Sequence, residues 1–175
     1  MTSNISGSDA ILAAFNGESG VLDVANALEI LGEELADRQR PAAGDATAFS
    51  LEVEGTPRKP GPLHLDEIRR IASEALRNAF HHSRARRIEV EIRYDARQLR
   101  VRVRDDGVGI DAGVLGPQGR AERWGLRGMR ESAKRIGARL EVWSRHGAGT
   151  EVELTIPASV AYGNHASPPI LTFRR

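Results

Sequence analysis

Two adjacent carboxylates are followed by two glycines in the stretch from Asp105 to Ile110. The run before it, residues 99–104, alternates apolar and basic side chains, which is typical of a half-buried strand and places Asp105 at its tip. Gly107 and Gly109 have no Cβ, so the chain can turn sharply there and a flat ligand can approach the main chain. The stretch predicts a binding site at the end of a strand, and a plain strand-to-loop turn is the alternative interpretation.

A second group of polar side chains lies upstream, where Glu74, Asn78 and His82 follow one another at intervals of four residues. The segment from His64 to Ser83 has helical apolar periodicity, so these three side chains form one stripe along a helix. An acid, an amide and an imidazole in a row can orient a water, complete a Mg²⁺ shell and meet a phosphate. Mg²⁺ keeps several waters, so one Asn carbonyl is sufficient protein ligation. A solvated polar stripe would show the same spacing.

The elements that must position these groups follow from periodicity and breakers. Helices are predicted at residues 22–38, 64–83 and 126–136, and strands at 49–54, 87–94, 99–104, 140–144 and 150–156. Gly137 is expected to end the last helix. Because most of the strands are grouped into hairpins, we expect an α+β fold, a two-layer sandwich with a mixed sheet covered by helices on one face.

The ends of the chain and one internal segment carry little folding signal. We expect a weakly ordered lead-in over residues 1–20, one domain over residues 21–160 and a flexible tail over residues 161–175. Residues 111–124 contain several glycines and a proline without periodicity, which predicts a mobile loop.

Composition excludes several classes of function. The chain has 175 residues, 40% of them hydrophobic and 28% charged, which suits one globular domain. Cysteine is absent, so disulfides, thiolate metal sites and a cysteine nucleophile are excluded. The net charge is only +1, so we expect that the protein has no nucleic-acid partner. There is neither a run of about 18 apolar residues nor a signal-peptide pattern, so we expect no membrane segment and a cytoplasmic location.

Four motifs in the right order resemble those of a known family. Residues 74–82 resemble the N box of the GHKL ATPases, residues 104–110 their first glycine box, residues 124–131 the second, and residues 147–150 the closing glycine-threonine element. The residues of these motifs are most similar to those of the C-terminal ATP-binding domain of sensor histidine kinases, and the resemblance covers roughly Leu22 to Pro157. The resemblance implies a Bergerat-type fold with ATP and Mg²⁺ as cofactors.

The resemblance also implies roles for single residues. Asp105 would accept a hydrogen bond from the adenine amino group, and Thr150 would support the same base edge through water. Asn78 would ligate Mg²⁺ and act in catalysis together with Glu74, which resembles the acid that orients the attacking group in relatives. His82 would face the phosphates. The other expected nucleotide contacts are Gly107, Gly109, Ile110, Gly125, Leu126, Gly128 and Met129. Arg127 and Arg130 are candidates for phosphate contact or merely solvated.

One departure from the family's pattern concerns the phosphoacceptor. Kinases of this kind carry an acceptor histidine on an upstream helical segment, and no histidine precedes His64 here. We therefore expect ATP, a separate histidine phosphoacceptor and dimerisation domain, and a response regulator as partners. Two alternatives stay open at this point: a stand-alone serine kinase like the anti-sigma factors, and a nucleotide-gated binding module without turnover.

Overall fold

The computed structural model describes residues 22–39, 46–110 and 125–163. The predicted lead-in, most of the predicted tail and the loop predicted at residues 111–124 lie outside these ranges. The helices are α1 (Leu22–Arg38), α2 (Pro62–His82), α3 (Leu126–Arg135) and α4 (Ala158–Ala161); the strands are β1 (Ala48–Gly55), β2 (Arg87–Tyr94), β3 (Gln98–Asp105), β4 (Arg139–Ser144) and β5 (Thr150–Pro157). No helix in these ranges is both long and apolar enough to cross a membrane.

The strands form one five-stranded mixed sheet in the order β1-β2-β3-β5-β4. β1 and β2 are parallel, and every other neighbouring pair is antiparallel. The two predicted hairpins are confirmed, because β2 pairs with β3 and β4 pairs with β5. The helices α1, α2 and α3 contact the strands β1, β3 and β4 respectively. The predicted mixed α+β sheet with helices is therefore confirmed.

Strand β3 shows how the sequence separates the two faces of the sheet. Leu99, Val101 and Val103 are at most 3% exposed and belong to the core under the helices. The intervening arginines lie on the other face, where Arg100 donates to the Glu91 carboxylate over 2.9 Å. Because side chains alternate along a strand, Asp105 points to the same face as Val103. The period of two therefore directs this carboxylate under the helices.

Helix α2 is the central helix of the covering layer. Its apolar face is buried, with Ile68 and Leu76 fully enclosed. The 7% exposed Glu67 forms an ion pair with Arg135, which fastens the start of α2 to the end of α3. The two helices thus run side by side in opposite directions, and the start of α3 lies near the C-terminal half of α2.

Helix α3 ends where the sequence predicts. The Gly137 N–H donates to the Lys134 carbonyl over 3.1 Å, and the Ala138 N–H donates to the Ala133 carbonyl over 2.9 Å. Gly137 has a φ of 64°. These are the two bonds of a Schellman motif, in which a left-handed residue after the helix satisfies its last carbonyls. The prediction that Gly137 stops this helix is confirmed.

The short helix α4 was not predicted from the sequence. Ala161 is 1% exposed, and its carbonyl accepts from the Gly61 N–H over 3.0 Å, so α4 holds the segment before α2. The guanidinium of Arg58 also lies over the Tyr162 ring at 4.1 Å. Ordered structure thus continues past residue 160, where the sequence predicted the domain to end, because four residues are too short to give a periodic signal.

Candidate functional site

A cleft lies between the C-terminal half of α2, the start of α3, and the adjoining ends of β3 and β5. Most of the predicted site residues meet there. The cleft is lined by Ala75, Asn78, Ala79, His82, Ser83, Val103, Asp105, Gly109, Ile110, Leu126, Met129, Thr150 and Val152. The sequence motifs, which are up to 72 positions apart between Asn78 and Thr150, therefore form a single site.

Asp105 is the carboxylate that lines this cleft, and the residue is 5% exposed. Its Oδ1 accepts from the Gly107 N–H over 3.0 Å and from the Thr150 N–H over 3.2 Å. Among the described residues no donor reaches Oδ2. Burial raises the pKa of Asp105, against the two backbone hydrogen bonds that lower it, and the neighbouring Asp106 carboxylate raises it further. The site therefore presents the second oxygen of a buried residue's carboxylate to a ligand that can donate.

The adjacent carboxylate has a different task. Asp106 is exposed, and its Oδ1 accepts from the backbone N–H groups of Arg86 and Arg87, each over 2.9 Å. Its own N–H donates to the Arg87 carbonyl over 3.2 Å. Asp106 therefore fixes the loop to the start of β2 and does not line the cleft. The adjacent pair of acids that drew attention in the sequence is one ligand-facing group and one structural group.

The two glycines after the acids are required by close backbone packing. A Cβ on Gly107 would lie 2.1 Å from the Ser83 carbonyl oxygen, and one on Gly109 would lie 2.2 Å from the Arg145 carbonyl oxygen. Gly109 also has a φ of 72°. Gly109 lines the cleft, whereas Gly107 packs against the end of α2. The sequence predicted that a ligand could approach the main chain closely at these glycines. In the structure it is other backbone segments of the protein that approach them closely.

Thr150 occupies the first position of β5, opposite the last residue of β4. Its N–H binds Asp105, and its hydroxyl lies 2.9 Å from the Ser144 hydroxyl. Ser144 was missed by the sequence reasoning. Its only sequence signal was a hydroxyl just before the hairpin loop that leads to Thr150. Gly149 lets the chain pass here, because a Cβ on it would lie 1.9 Å from the Asp105 carbonyl oxygen.

The polar stripe on α2 is divided between two surfaces. Asn78 and His82 line the cleft, as predicted. Glu74 instead lines a groove between α2 and α3, together with Gly125 and Gly128. The groove is completed by Arg69, Arg70, Ile71, Ser73, Arg77, Met129 and Ser132. Met129 borders both surfaces, so the groove adjoins the cleft.

Gly125 is the residue at which α3 approaches Glu74 most closely. It has a φ of 64°, and a Cβ on it would lie 2.2 Å from the Glu74 Oε1. Gly128 is different, because a Cβ there would meet no atom within 4 Å. The two glycines of the second motif are therefore unequal: the first is needed for the helix start, and the second leaves open space.

Apolar side chains form the walls of the cleft. Ile110, Leu126 and Met129 are 8%, 2% and 3% exposed and face the cleft from the loop and from α3. Apolar walls beside the Oδ2 of Asp105 suit a flat heterocycle that carries a donor. Arg127 pairs with Glu131 over 3.0 Å and Arg130 is exposed, so neither lines the cleft in the described chain.

No group of three or more His, Cys, Asp or Glu residues that could hold a metal ion occurs within residues 22–39, 46–110 and 125–163. The metal-binding prediction at Asn78 does not need one. Mg²⁺ in nucleotide sites takes one or two protein oxygens and completes its shell with waters and phosphate oxygens. The single amide that lines the cleft beside the α3 start fits that pattern.

Comparison with known proteins identifies this cleft's family. The sequence profile of the histidine kinase-, DNA gyrase B- and HSP90-like ATPases matches residues 64–160. The chain belongs to this family. It is 39% identical over 92 residues to the sensor histidine kinase LiaS of Bacillus subtilis, covering 53% of this chain and 24% of LiaS. It is 31% identical over 142 residues to a sensor-like histidine kinase of Chloroflexus aurantiacus, covering 74% and 22%.

A solved structure agrees with the sequence relatives. The histidine kinase domain of the blue-light activated kinase EL346 from Erythrobacter litoralis superposes with a TM-score of 0.55 at 27% identity, covering 75% of this chain and 63% of that one. The chain spans about a quarter of the length of the curated relatives it matches. Both comparisons identify it as an ATPase domain of the type found in sensor histidine kinases.

Proposed function

We propose that the chain is the Mg-ATP-binding catalytic domain of a sensor histidine kinase. It would supply the γ-phosphoryl group to a histidine on a separate dimerisation segment, from which the group passes to a response regulator. The observation that carries the proposal is the Oδ2 of the buried residue Asp105, an acceptor with no donor among the described residues, in a cleft with apolar walls. A cytoplasmic location is part of the same proposal, because the cytoplasm is where ATP would be supplied to the domain.

The base would lie between the apolar walls, with its amino group donating to the Asp105 Oδ2. This hydrogen bond is to a charged acceptor in a buried position, which makes it stronger than an ordinary one. Thr150 would contact the same base edge. Asn78 and His82, further along α2 on the same wall, would then lie towards the phosphates.

Mg²⁺, when bound with the nucleotide, supplies positive charge that neutralises the phosphate oxygens. The residue proposed to hold it is Asn78, through its side-chain carbonyl. His82 would add a donor or a positive charge to the phosphate end. The site's own part in phosphoryl transfer is thus to position the nucleotide, because such transfer depends mainly on alignment and electrostatic stabilisation.

Glu74 is proposed to orient the incoming acceptor. It is partly buried in the groove that adjoins the cleft, and no hydrogen bond or ion pair engages its carboxylate within the described part of the chain. A carboxylate beyond the phosphate end can accept a proton or a hydrogen bond from the attacking group. The neighbouring Arg77 makes this groove attractive to an acidic acceptor segment.

Calorimetry with ATP and ADP in the presence of Mg²⁺ tests the binding half of the proposal, and absence of any nucleotide affinity would refute it. Phosphoryl transfer is tested with radiolabelled ATP and a histidine-bearing dimerisation segment added as a separate polypeptide. We expect acid-labile label on that segment, and none on a segment whose acceptor histidine is replaced by glutamine. Robust label on one of this chain's own five histidines would contradict the assignment of the acceptor to another segment.

A further inference from the structure

Ser144 is a junction between three segments that border the cleft. Its hydroxyl oxygen accepts from the Ile110 N–H over 2.7 Å and lies 3.0 Å from the Gly149 carbonyl oxygen and 2.9 Å from the Thr150 hydroxyl. Ser144 itself does not line the cleft, whereas Ile110 and Thr150 do. Its effect on a ligand must therefore pass through those two neighbours.

The direction of these hydrogen bonds follows from counting protons. A serine hydroxyl has one proton to donate and two lone pairs. The Gly149 carbonyl can only accept, so the Ser144 proton satisfies it, and Ser144 then accepts from both the Ile110 N–H and the Thr150 hydroxyl. Reversing the pair would leave Gly149 with only the 3.3 Å bond from the Arg145 N–H. When Ser144 donates to Gly149 and accepts from Ile110 and Thr150, every proton and carbonyl at this junction has a partner.

This arrangement fixes what Thr150 can offer to a ligand. Its hydroxyl proton is used on Ser144 and its N–H on Asp105, so only the lone pairs of its hydroxyl oxygen remain. The Asp105 Oδ2 is an acceptor as well. The base end of the cleft thus presents two acceptors side by side. A purine with a six-amino group donates to the Asp105 Oδ2, and a water that donates one proton to the Thr150 hydroxyl can donate its other proton to the bare ring nitrogen beside that amino group. A purine with a six-carbonyl turns an acceptor towards Asp105 and carries a proton on that ring nitrogen, so both contacts are unfavourable.

We propose that Ser144 is a positioning residue that holds the Thr150 hydroxyl as an acceptor and thereby selects amino-bearing over carbonyl-bearing purine nucleotides. The inference rests on the proposed function, because it concerns the same nucleotide cleft. Without the Ser144 oxygen the Thr150 hydroxyl is free to rotate, so it can donate to the bridging water, which can then accept from the ring N–H of a carbonyl-bearing purine. Selectivity, and not only affinity, should then depend on Ser144.

The test is calorimetry with adenosine diphosphate and inosine diphosphate. Adenine has an amino group at the six-position beside a bare ring nitrogen, whereas hypoxanthine has a carbonyl there beside a ring N–H. Wild type should prefer the adenine nucleotide. Ser144→Ala should weaken it by about two- to tenfold, the range for one neutral hydrogen bond, while the inosine nucleotide is weakened less or gains. Ser144→Thr keeps the hydroxyl and should keep the preference. Thr155→Val, on β5 but outside the cleft lining, should leave both affinities unchanged.

A purely structural role gives a different result, because both nucleotides would weaken equally and their affinity ratio would stay constant. That outcome overturns the inference. In a Thr150→Val background, Ser144→Ala should no longer change the ratio, and a further change there also overturns it. If Ser144→Ala does not fold, Ser144→Cys replaces it, since a thiol accepts only weakly, and an unchanged ratio in that variant refutes the inference. Failure of wild type to bind either nucleotide would instead refute the proposed function.

Discussion

Replacing Asp105 by asparagine tests the central contact of the proposed site. The outcome depends on how the amide is oriented. The Gly107 and Thr150 N–H groups both donate to Oδ1, so the amide oxygen of the variant must take that position. The NH₂ group is then placed where Oδ2 lies in the wild type, and an acceptor for the adenine amino group becomes a donor that faces another donor.

The cost follows from the type of bond that is lost. A hydrogen bond to a charged partner contributes about 1.5–3 kcal/mol, so ADP affinity should fall by about ten- to a hundredfold. Calorimetry with Mg-ADP measures it directly. The fold should persist, because both backbone donors keep an acceptor. Unchanged affinity in a folded Asp105→Asn variant would show that the base binds elsewhere and would refute the reasoning.

The same variant should not lose stability at neutral pH. Burial holds the pKa of Asp105 above its ordinary value of 3.8. For a group with a raised folded-state pKa, the stabilisation is fully present below the unfolded pKa and is lost as pH rises through the folded pKa. The ionised wild-type carboxylate therefore destabilises the folded state at neutral pH. Urea unfolding should show Asp105→Asn at least as stable there, with its advantage shrinking as the pH is lowered towards the unfolded pKa.

Asp106→Asn is the matched control, because it changes the neighbouring carboxylate in the same way. The Asp106 oxygen that accepts from Arg86 and Arg87 is retained as an amide oxygen. Nucleotide affinity should therefore remain within about twofold of wild type. If both variants lose affinity alike, the loss comes from the change in net charge, and the assignment of separate roles to the two acids is wrong.

Two further substitutions test the metal and the backbone of the site. Asn78→Asp, which turns the proposed amide ligand into a carboxylate, should abolish phosphoryl transfer to an added acceptor segment while ADP binding without Mg²⁺ persists; loss of both in equal measure would contradict a metal role. Gly149→Ala should lower the free energy of unfolding by about 1–3 kcal/mol or more, because its φ is 86° and its Cβ would lie 1.9 Å from the Asp105 carbonyl oxygen. Gly128→Ala, where a Cβ meets nothing within 4 Å, should be neutral or stabilising by about 0.5–1 kcal/mol in the same denaturant titration, and equal losses in the two variants would refute the packing argument.

Local periodicity was sufficient to predict most of the fold. The alternation in β3 predicted the strand and the placement of Asp105 at its end, and the apolar period of α2 predicted the longest helix. Two features escaped. The helix α4 is too short to show a period. Glu74 lines a different surface from Asn78 and His82, and this separation depends on where α3 packs against α2. A stripe on one helix specifies a direction only, and the neighbouring element determines which cavity each side chain enters.

The role of Ser144 and the different roles of Asp105 and Asp106 could not be predicted from the sequence for another reason. Residue type does not specify hydrogen-bond partners, and in both cases they include backbone groups distant in sequence, Arg86 and Arg87 for Asp106 and Ile110 for Ser144. Asp105 faces the cleft because it is the last residue of β3 with core-facing parity. Asp106 comes one position later, after the strand has ended, and so turns towards the start of β2.

Main-chain contacts hold the segments around the cleft together, which explains why the site depends on glycines. The Val108 N–H donates to the Ser83 carbonyl over 2.7 Å, and the Gly147 N–H donates to the Val108 carbonyl over 2.8 Å, so the end of α2, the loop and the hairpin are joined in series. Backbones can approach so closely only where no Cβ intervenes. Gly107, Gly109 and Gly149 therefore act first on the architecture that places Asp105 and Thr150, and only through that placement on the ligand.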